Sequence, residues 1–217
     1  MRLIVIRHGQ SVINVTEDYW NLDTVDTELT EVGHRQAAAL RDWLRDHNVT
    51  ADAFYASTLV RTRQTAEYVA EALGMEPTYE DRIREVGNNY TSGLPIATED
   101  LPSRFAGSPG YAAPFLARAE KPELVESWMH FRARFGGFLE DMIERHLNET
   151  VYLVAHDGVV SVLFEHLFNT GPRRFLTIHT ENTGWSEVEY RRVDQRDGIW
   201  SLIHHNRIEH LSELNEK

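Results

Sequence analysis

Two short apolar runs in the chain break off in the same way. Leu3-Ile4-Val5-Ile6 leads into Arg7-His8-Gly9, and Val151-Tyr152-Leu153-Val154-Ala155 leads into His156-Asp157-Gly158. Runs of this kind read as buried strands. In open α/β sheets ligands gather at the carboxyl ends of strands, so each histidine falls where a site would form, beside a glycine that lets the chain turn sharply. A neutral imidazole nitrogen aimed in line with phosphorus can accept a phosphoryl group and split one transfer into two displacements. The rest of such a reaction is positioning and neutralisation of charge on the equatorial oxygens. His8 is the candidate acceptor, and His156 its companion.

Three further side chains fit that chemistry. Arg7 supplies a guanidinium fork next to His8, and forks grip phosphate bidentately. Arg61, in Ser57-Thr58-Leu59-Val60-Arg61-Thr62-Arg63-Gln64-Thr65-Ala66, falls in the first turn of an expected helix. There the backbone N–H groups and the helix dipole also favour an anion. Arg63, two residues on, is expected on the solvated face. A leaving oxygen needs a proton, and Glu85 in Asp81-Arg82-Ile83-Arg84-Glu85-Val86-Gly87 is the candidate general acid. Holding a proton near neutrality requires its pKa to be raised by desolvation or by nearby negative charge.

The elements that would hold these residues alternate along the chain. Strands are expected at Leu3–Ile6, Ala53–Ala56, Val151–Ala155 and Phe175–His179, with peripheral strands at Trp185–Tyr190 and Trp200–His204. Thr30 reads as the N-cap of a helix carrying Ala37, Leu40 and Leu44 on one face. Leu59, Thr62, Ala66, Val69 and Leu73 form a second helical stripe, closed by Gly74. A third helix is expected between Leu124 and Leu147, disturbed at Gly136-Gly137, and a fourth from Gly158 to Phe168. Such alternation implies an α/β fold with a mostly parallel sheet covered on both faces. The stretch from Val86 to Pro122 breaks the rhythm. It holds five of the seven prolines and a turn signal at Gly107–Gly110, and reads as a lid-like, substrate-facing insertion in one domain.

Bulk properties narrow the partners. The 217 residues, 41% of them hydrophobic, suffice for one domain with a substantial core. A formal charge of −12 argues against nucleic acid, whose backbone demands a basic face. Of 22 basic residues only Lys121 and Lys217 are lysine, and cysteine is absent. That absence excludes disulfides and thiolate metal sites and fits a reducing cytoplasm. No apolar stretch approaches the roughly 20 residues of a membrane span, and the opening run is shorter than a secretory core segment. The chain has no His-Glu-x-x-His pattern, so no metal is expected.

Arg7-His8-Gly9-Gln10-Ser11, with Asn14 three residues further on, resembles the first signature of the histidine phosphatase superfamily, also called phosphoglycerate-mutase-like. Leu29-Thr30-Glu31-Val32-Gly33 with Gln36-Ala37 resembles that family's next helix. Ser57 to Ala66 is similar to its second arginine motif, Ile83-Arg84-Glu85 to its acid motif, and His156 to its second histidine. Glu181-Asn182-Thr183-Gly184 and the closing Trp200…His205-Asn206…His210-Leu211 resemble its late strands. The resemblance implies a three-layer α/β/α sandwich and a phosphohistidine on His8. It implies a phosphate pocket of Arg7, Arg61 and His156, a proton donor at Glu85, and further contacts from Asn14, Ser11 and Gln10. It implies no metal or organic cofactor.

Two features depart from the family pattern. Asp157 stands where many relatives have glycine; its side chain is expected to turn away from phosphate while its N–H can still donate. The segment after Glu85 carries neither the Arg-His-Tyr-Gly of the mutases nor the Trp-Glu-Gly of common phosphatases. The reading is therefore a phosphohydrolase acting on a small phosphorylated substrate, ahead of a phosphoglycerate-type mutase or a catalytically weak phospho-ligand binding module. Specificity is expected in the insertion, in an apolar wall of Tyr90, Phe105, Tyr111 and Phe115, and in Arg82 or Arg84. The late strands offer an edge at which two copies could form a homodimer.

Overall fold

The computed structural model describes residues 1–17, 25–87, 90–91, 94–100, 107–109, 117–119, 126–172, 178–194 and 198–214. Its centre is a six-stranded sheet built from β1 (Arg2–Arg7), β2 (Ala53–Ser57), β3 (Thr78–Glu80), β8 (Thr150–Ala155), β9 (Trp185–Arg192) and β10 (Gly198–Arg207). The order is β10-β9-β1-β8-β2-β3. The middle strands β1, β8, β2 and β3 run parallel, and β9 and β10 complete one side antiparallel. Strands β1 and β8 are buried on both faces, which is why they read as unbroken apolar runs rather than as alternation.

The two faces have separate cores. Leu3, Val5, Val151, Leu153 and Ala155 pack under α4 (Trp128–Arg145) and α5 (Asp157–Leu167) through Phe131, Phe135, Phe138, Val159 and Leu163. Ile4, Ile6, Tyr152 and Val154 pack under α2 (Glu31–Asp46) and α3 (Val60–Leu73) through Leu40, Leu44, Ala66 and Val69. The result is the expected three-layer α/β/α sandwich. A one-turn helix α1 (Val12–Val15) follows the His8 turn. Helix α4 runs without a break through Gly136-Gly137. Two glycines cost about 2 kcal/mol relative to alanine, far less than burying Trp128, Phe131, Phe135, Phe138, Leu139 and Met142 returns.

Several expectations change. Glu181 to Gly184 forms a turn before β9 rather than a strand. Gly107–Pro109, expected as a turn, is strand β6 and pairs with β7 (Ala117–Ala119); a second short hairpin joins β4 (Tyr90–Thr91) to β5 (Leu94–Pro95). Most of the insertion over 86–122, the rest of its proposed apolar wall, and residues 175–177 of the expected strand at 175–179 lie outside the described residues; Ile178 and His179 are not in a strand. No helix among the described residues is long and apolar enough to cross a membrane.

Candidate active site

Sheet register brings the expected residues together. Arg7 stands opposite Ala155, and Ala56 opposite Val154, so β1, β8 and β2 end at one level. His8, His156 and Ser57 therefore emerge side by side at the carboxyl edge of the sheet. The rings of His8 and His156 are 5.2 Å apart, edge to face. Both side chains are buried.

Contacts on two sides hold the His8 turn. Gly9 and Gly33 let it press against the start of α2, where a Cβ on Gly33 would fall 2.0 Å from the Gln10 carbonyl oxygen. On the other side, Thr183 N–H donates to the Arg7 carbonyl at 3.0 Å, and Asn182 Nδ2 donates to the His8 carbonyl at 3.0 Å. Thr183 holds a φ of 59° to do so, a left-handed conformation that strains a β-branched residue.

His8 Nδ1 lies 2.7 Å from the Gly9 carbonyl oxygen. A carbonyl only accepts, so Nδ1 carries the proton and Nε2 is bare. Arg61 Nε donates to that Nε2 at 3.2 Å. Burial first, then the charges of Arg61 and Arg7, hold the His8 pKa well below the ordinary imidazole value. Arg61 is buried in the first turn of α3, and its Nη1 stands 4.0 Å from Asp26. Helix α3 has no side-chain cap of its own; Asp26 caps it instead, accepting from Val60 N–H at 2.7 Å. Arg7 donates from Nη1 to the Thr180 carbonyl, and its buried Nε has no partner among the described residues.

Helix α5 likewise begins without a local cap, at His156. Glu85, in the segment that follows edge strand β3, serves it instead, accepting from Gly158 N–H at 3.2 Å and from Val86 N–H at 2.9 Å. Burial raises the Glu85 pKa, while Arg61 and the two backbone donors oppose the shift. The segment bearing Glu85 is clamped by Arg134 of α4, which donates to the Arg82 and Glu85 carbonyls at 2.7 and 3.1 Å and pairs with buried Glu126.

The remaining expected residues sit on the rim or beneath it. Ser11 is buried, and its hydroxyl donates to Asn14 Oδ1, which also accepts from Ser11 N–H and from Asn182 Nδ2. Gln10 anchors to α2 through Thr30 and Gln36. The Asp157 carboxylate is part-exposed and stands 3.9 Å from Arg7 Nη1, so it faces the arginine rather than turning away. Arg82 is engaged by Glu80 and Asp141. Arg84 is buried among Asp81, Thr58, Ile96 and Thr98. With their donors so committed, neither is spare for a substrate. Arg63 is not on a solvated face: it donates to the Thr58 carbonyl and lies 4.1 Å over the Tyr79 ring.

Sequence reasoning passed over Ser57, Asp26, Asn182, Thr183 and Arg134. Ser57 opens the second arginine motif, so its position was in view; Asp26 stands in no periodic element and left no signal.

A parallel-centred sandwich thus carries two buried histidines and two arginines at its carboxyl edge, an arrangement suited to binding a phosphoryl group. The chain belongs to the histidine phosphatase superfamily (branch 1), whose family profile matches residues 3–200. It is 31% identical over 194 residues to phosphoserine phosphatase 1 of Hydrogenobacter thermophilus, covering 87% of this chain and 86% of that one. Its fold matches mycobacterial glucosyl-3-phosphoglycerate phosphatase complexed with VO3, with a TM-score of 0.71 at 23% identity, over 94% of this chain and 98% of that one. It also matches a phosphoserine phosphatase mutant from Entamoeba histolytica in complex with phosphoserine, with a TM-score of 0.68 at 20% identity, over 97% and 98% of the two chains. The protein is a phosphatase-type enzyme.

Proposed function

We propose that this phosphatase hydrolyses small phosphomonoesters through a covalent phosphohistidine on His8, with no metal taking part. His8 Nε2 attacks phosphorus while the bond to the leaving oxygen breaks, and Glu85 gives that oxygen its proton. Water then attacks the phosphohistidine, the Glu85 carboxylate takes the water's proton, and His8 leaves with its nitrogen bare. Arg7, Arg61 and His156 hold the phosphoryl oxygens, and Asn14, Ser11 and Gln10 shape the turn that carries His8. The hydrogen bond from His8 Nδ1 to the Gly9 carbonyl, 2.7 Å long, carries this reading because it leaves Nε2 unprotonated, its lone pair accepting from Arg61 Nε at 3.2 Å until phosphorus takes that place. The buried Arg7 Nε, which has no partner among the described residues, supports an anion beside it.

Asp157 adds a part-exposed carboxylate, 3.9 Å from Arg7, to the rim of a phosphate pocket, where a cation on the substrate would be attracted. O-Phosphoserine carries an ammonium where 3-phosphoglycerate carries a hydroxyl, so the pair isolates that contact. Two copies of the chain would pair along β10, one of the two edge strands of the sheet, and the cysteine-free chain suits a cytoplasmic setting.

The test is phosphate release from a panel of phosphorylated metabolites in EDTA, with wild type, His8→Ala and Asp157→Asn. Wild type should turn over and prefer O-phosphoserine to 3-phosphoglycerate, and Asp157→Asn should remove the preference. His8→Ala should lose at least about 10³-fold in kcat. Isomerisation without phosphate release would instead make the enzyme a mutase, and tight binding without turnover a binding module.

A further inference from the structure

The hydrogen bond between Ser57 and His156 has a direction that the surrounding groups determine. Both side chains are completely buried, and Ser57 Oγ lies 2.8 Å from His156 Nε2. A hydroxyl has one proton to give. Ser57 Oγ already accepts, weakly, from Leu59 N–H at 3.5 Å. Among the described residues the one acceptor within its reach is His156 Nε2. If the ring donated instead, the Ser57 proton would be buried with no acceptor, at a cost of about 1–3 kcal/mol.

We infer that Ser57 is a positioning residue that sets the tautomer of His156. Its hydroxyl donates to Nε2, the ring proton resides on Nδ1, and His156 presents a neutral N–H donor to the phosphoryl group held beside His8. Nδ1 is buried and has no partner among the described residues, so none of their acceptors takes its proton. Burial, together with the charge of Arg61, keeps the ring uncharged. The two histidines thus share one tautomer, with the proton on Nδ1, but use it oppositely. In His8 the Gly9 carbonyl consumes the proton and leaves Nε2 as a lone pair. In His156 the Ser57 hydroxyl consumes the Nε2 lone pair and leaves Nδ1–H as a donor.

The donor role rests on the phosphohistidine reading above; the tautomer does not. The test is nitrogen-15 NMR of histidine-labelled protein, with His156→Gln used to assign the signals, alongside inhibition by inorganic phosphate. Wild-type His156 should show a protonated Nδ1 and an unprotonated Nε2. Ser57→Ala should lose that fixed tautomer and weaken phosphate inhibition about 10-fold, the worth of one hydrogen bond to a charged group. Ser57→Thr, which keeps the hydroxyl, should restore the tautomer. A wild-type His156 protonated on Nε2, or a Ser57→Ala variant with tautomer and phosphate inhibition unchanged, would overturn the assignment. Failure of the phosphohistidine reading would appear separately, as turnover that does not depend on His8.

Discussion

Burial and the guanidinium groups around them leave His8 and His156 uncharged at neutral pH, so each ring acts through one lone pair and one N–H. Glu85 completes the chemistry from the opposite direction, since burial raises its pKa and favours the protonated acid. Proton transfer by a placed side chain contributes typically 10²–10⁴-fold. Glu85→Gln should therefore slow the phosphorylation of His8, read as the pre-steady-state burst, by that order for alkyl phosphates, and much less for p-nitrophenyl phosphate, whose leaving group needs no proton. The sign of the pH dependence follows. The first displacement needs protonated Glu85, so its rate falls as pH rises through the Glu85 pKa, and Glu85→Gln should flatten that limb. Equal losses with both leaving groups would show that Glu85 does not act as the acid. As candidates, His8, Arg7, Arg61 and His156 could be picked out of the sequence because each sits beside a strand end or a helix start, whereas Glu85 lies past the short turn Asp81–Ile83 and was reached through its motif. The tautomers could not, because they depend on the Gly9 carbonyl and Ser57 hydroxyl standing in reach.

Glu85 reaches its place by capping an element remote from it in sequence. Gly158, in the first turn of α5, donates to its carboxylate, and a Cβ there would fall 2.1 Å from Glu85 Oε1. Gly158→Ala should leave the fold intact but push Glu85 aside, lowering kcat toward the level of Glu85→Gln; unchanged kcat would mean the carboxylate has another productive position. The elements that sequence periodicity revealed best were those with apolar sides: β1 and β8, buried on both faces, and α2 with Leu40 and Leu44. Thr30 caps α2 as expected, accepting from Gly33 N–H. What periodicity could not reveal were caps supplied from a distance, Asp26 on α3 and Glu85 on α5, because such contacts follow tertiary register rather than local spacing.

At the scale of the whole molecule, the site's chemistry makes stability depend on pH. His8, His156 and His210 all have folded pKa values below 6.5, that of His210 at about 4. Below about pH 6.5 the unfolded chain takes up protons that these sites refuse, so stability is present above that pH and lost as pH falls, by up to about 1.4 kcal/mol per unit for each site. Glu85 and Asp26 act oppositely: their folded pKa values are raised, so their share is present at low pH and lost as pH rises above the ordinary carboxylate range. Denaturant unfolding should show a falling free energy between pH 6.5 and 5, with a shallower slope in His210→Gln. A flat profile would mean that the buried histidines are protonated in the fold. Composition and charge bore on partners and compartment, whereas this linkage depends on which histidines are buried.

The central claim is the covalent phosphohistidine on His8. Rapid quenching of the enzyme into alkali during turnover of a ³²P-labelled substrate tests it most directly, because phosphohistidine survives base and is destroyed by acid. The account predicts base-stable, acid-labile label on the peptide containing His8 in wild type, accumulating in Glu85→Gln when p-nitrophenyl phosphate is used, and absent from His8→Ala. Steady turnover with no label at His8, or label retained in His8→Ala, would contradict it.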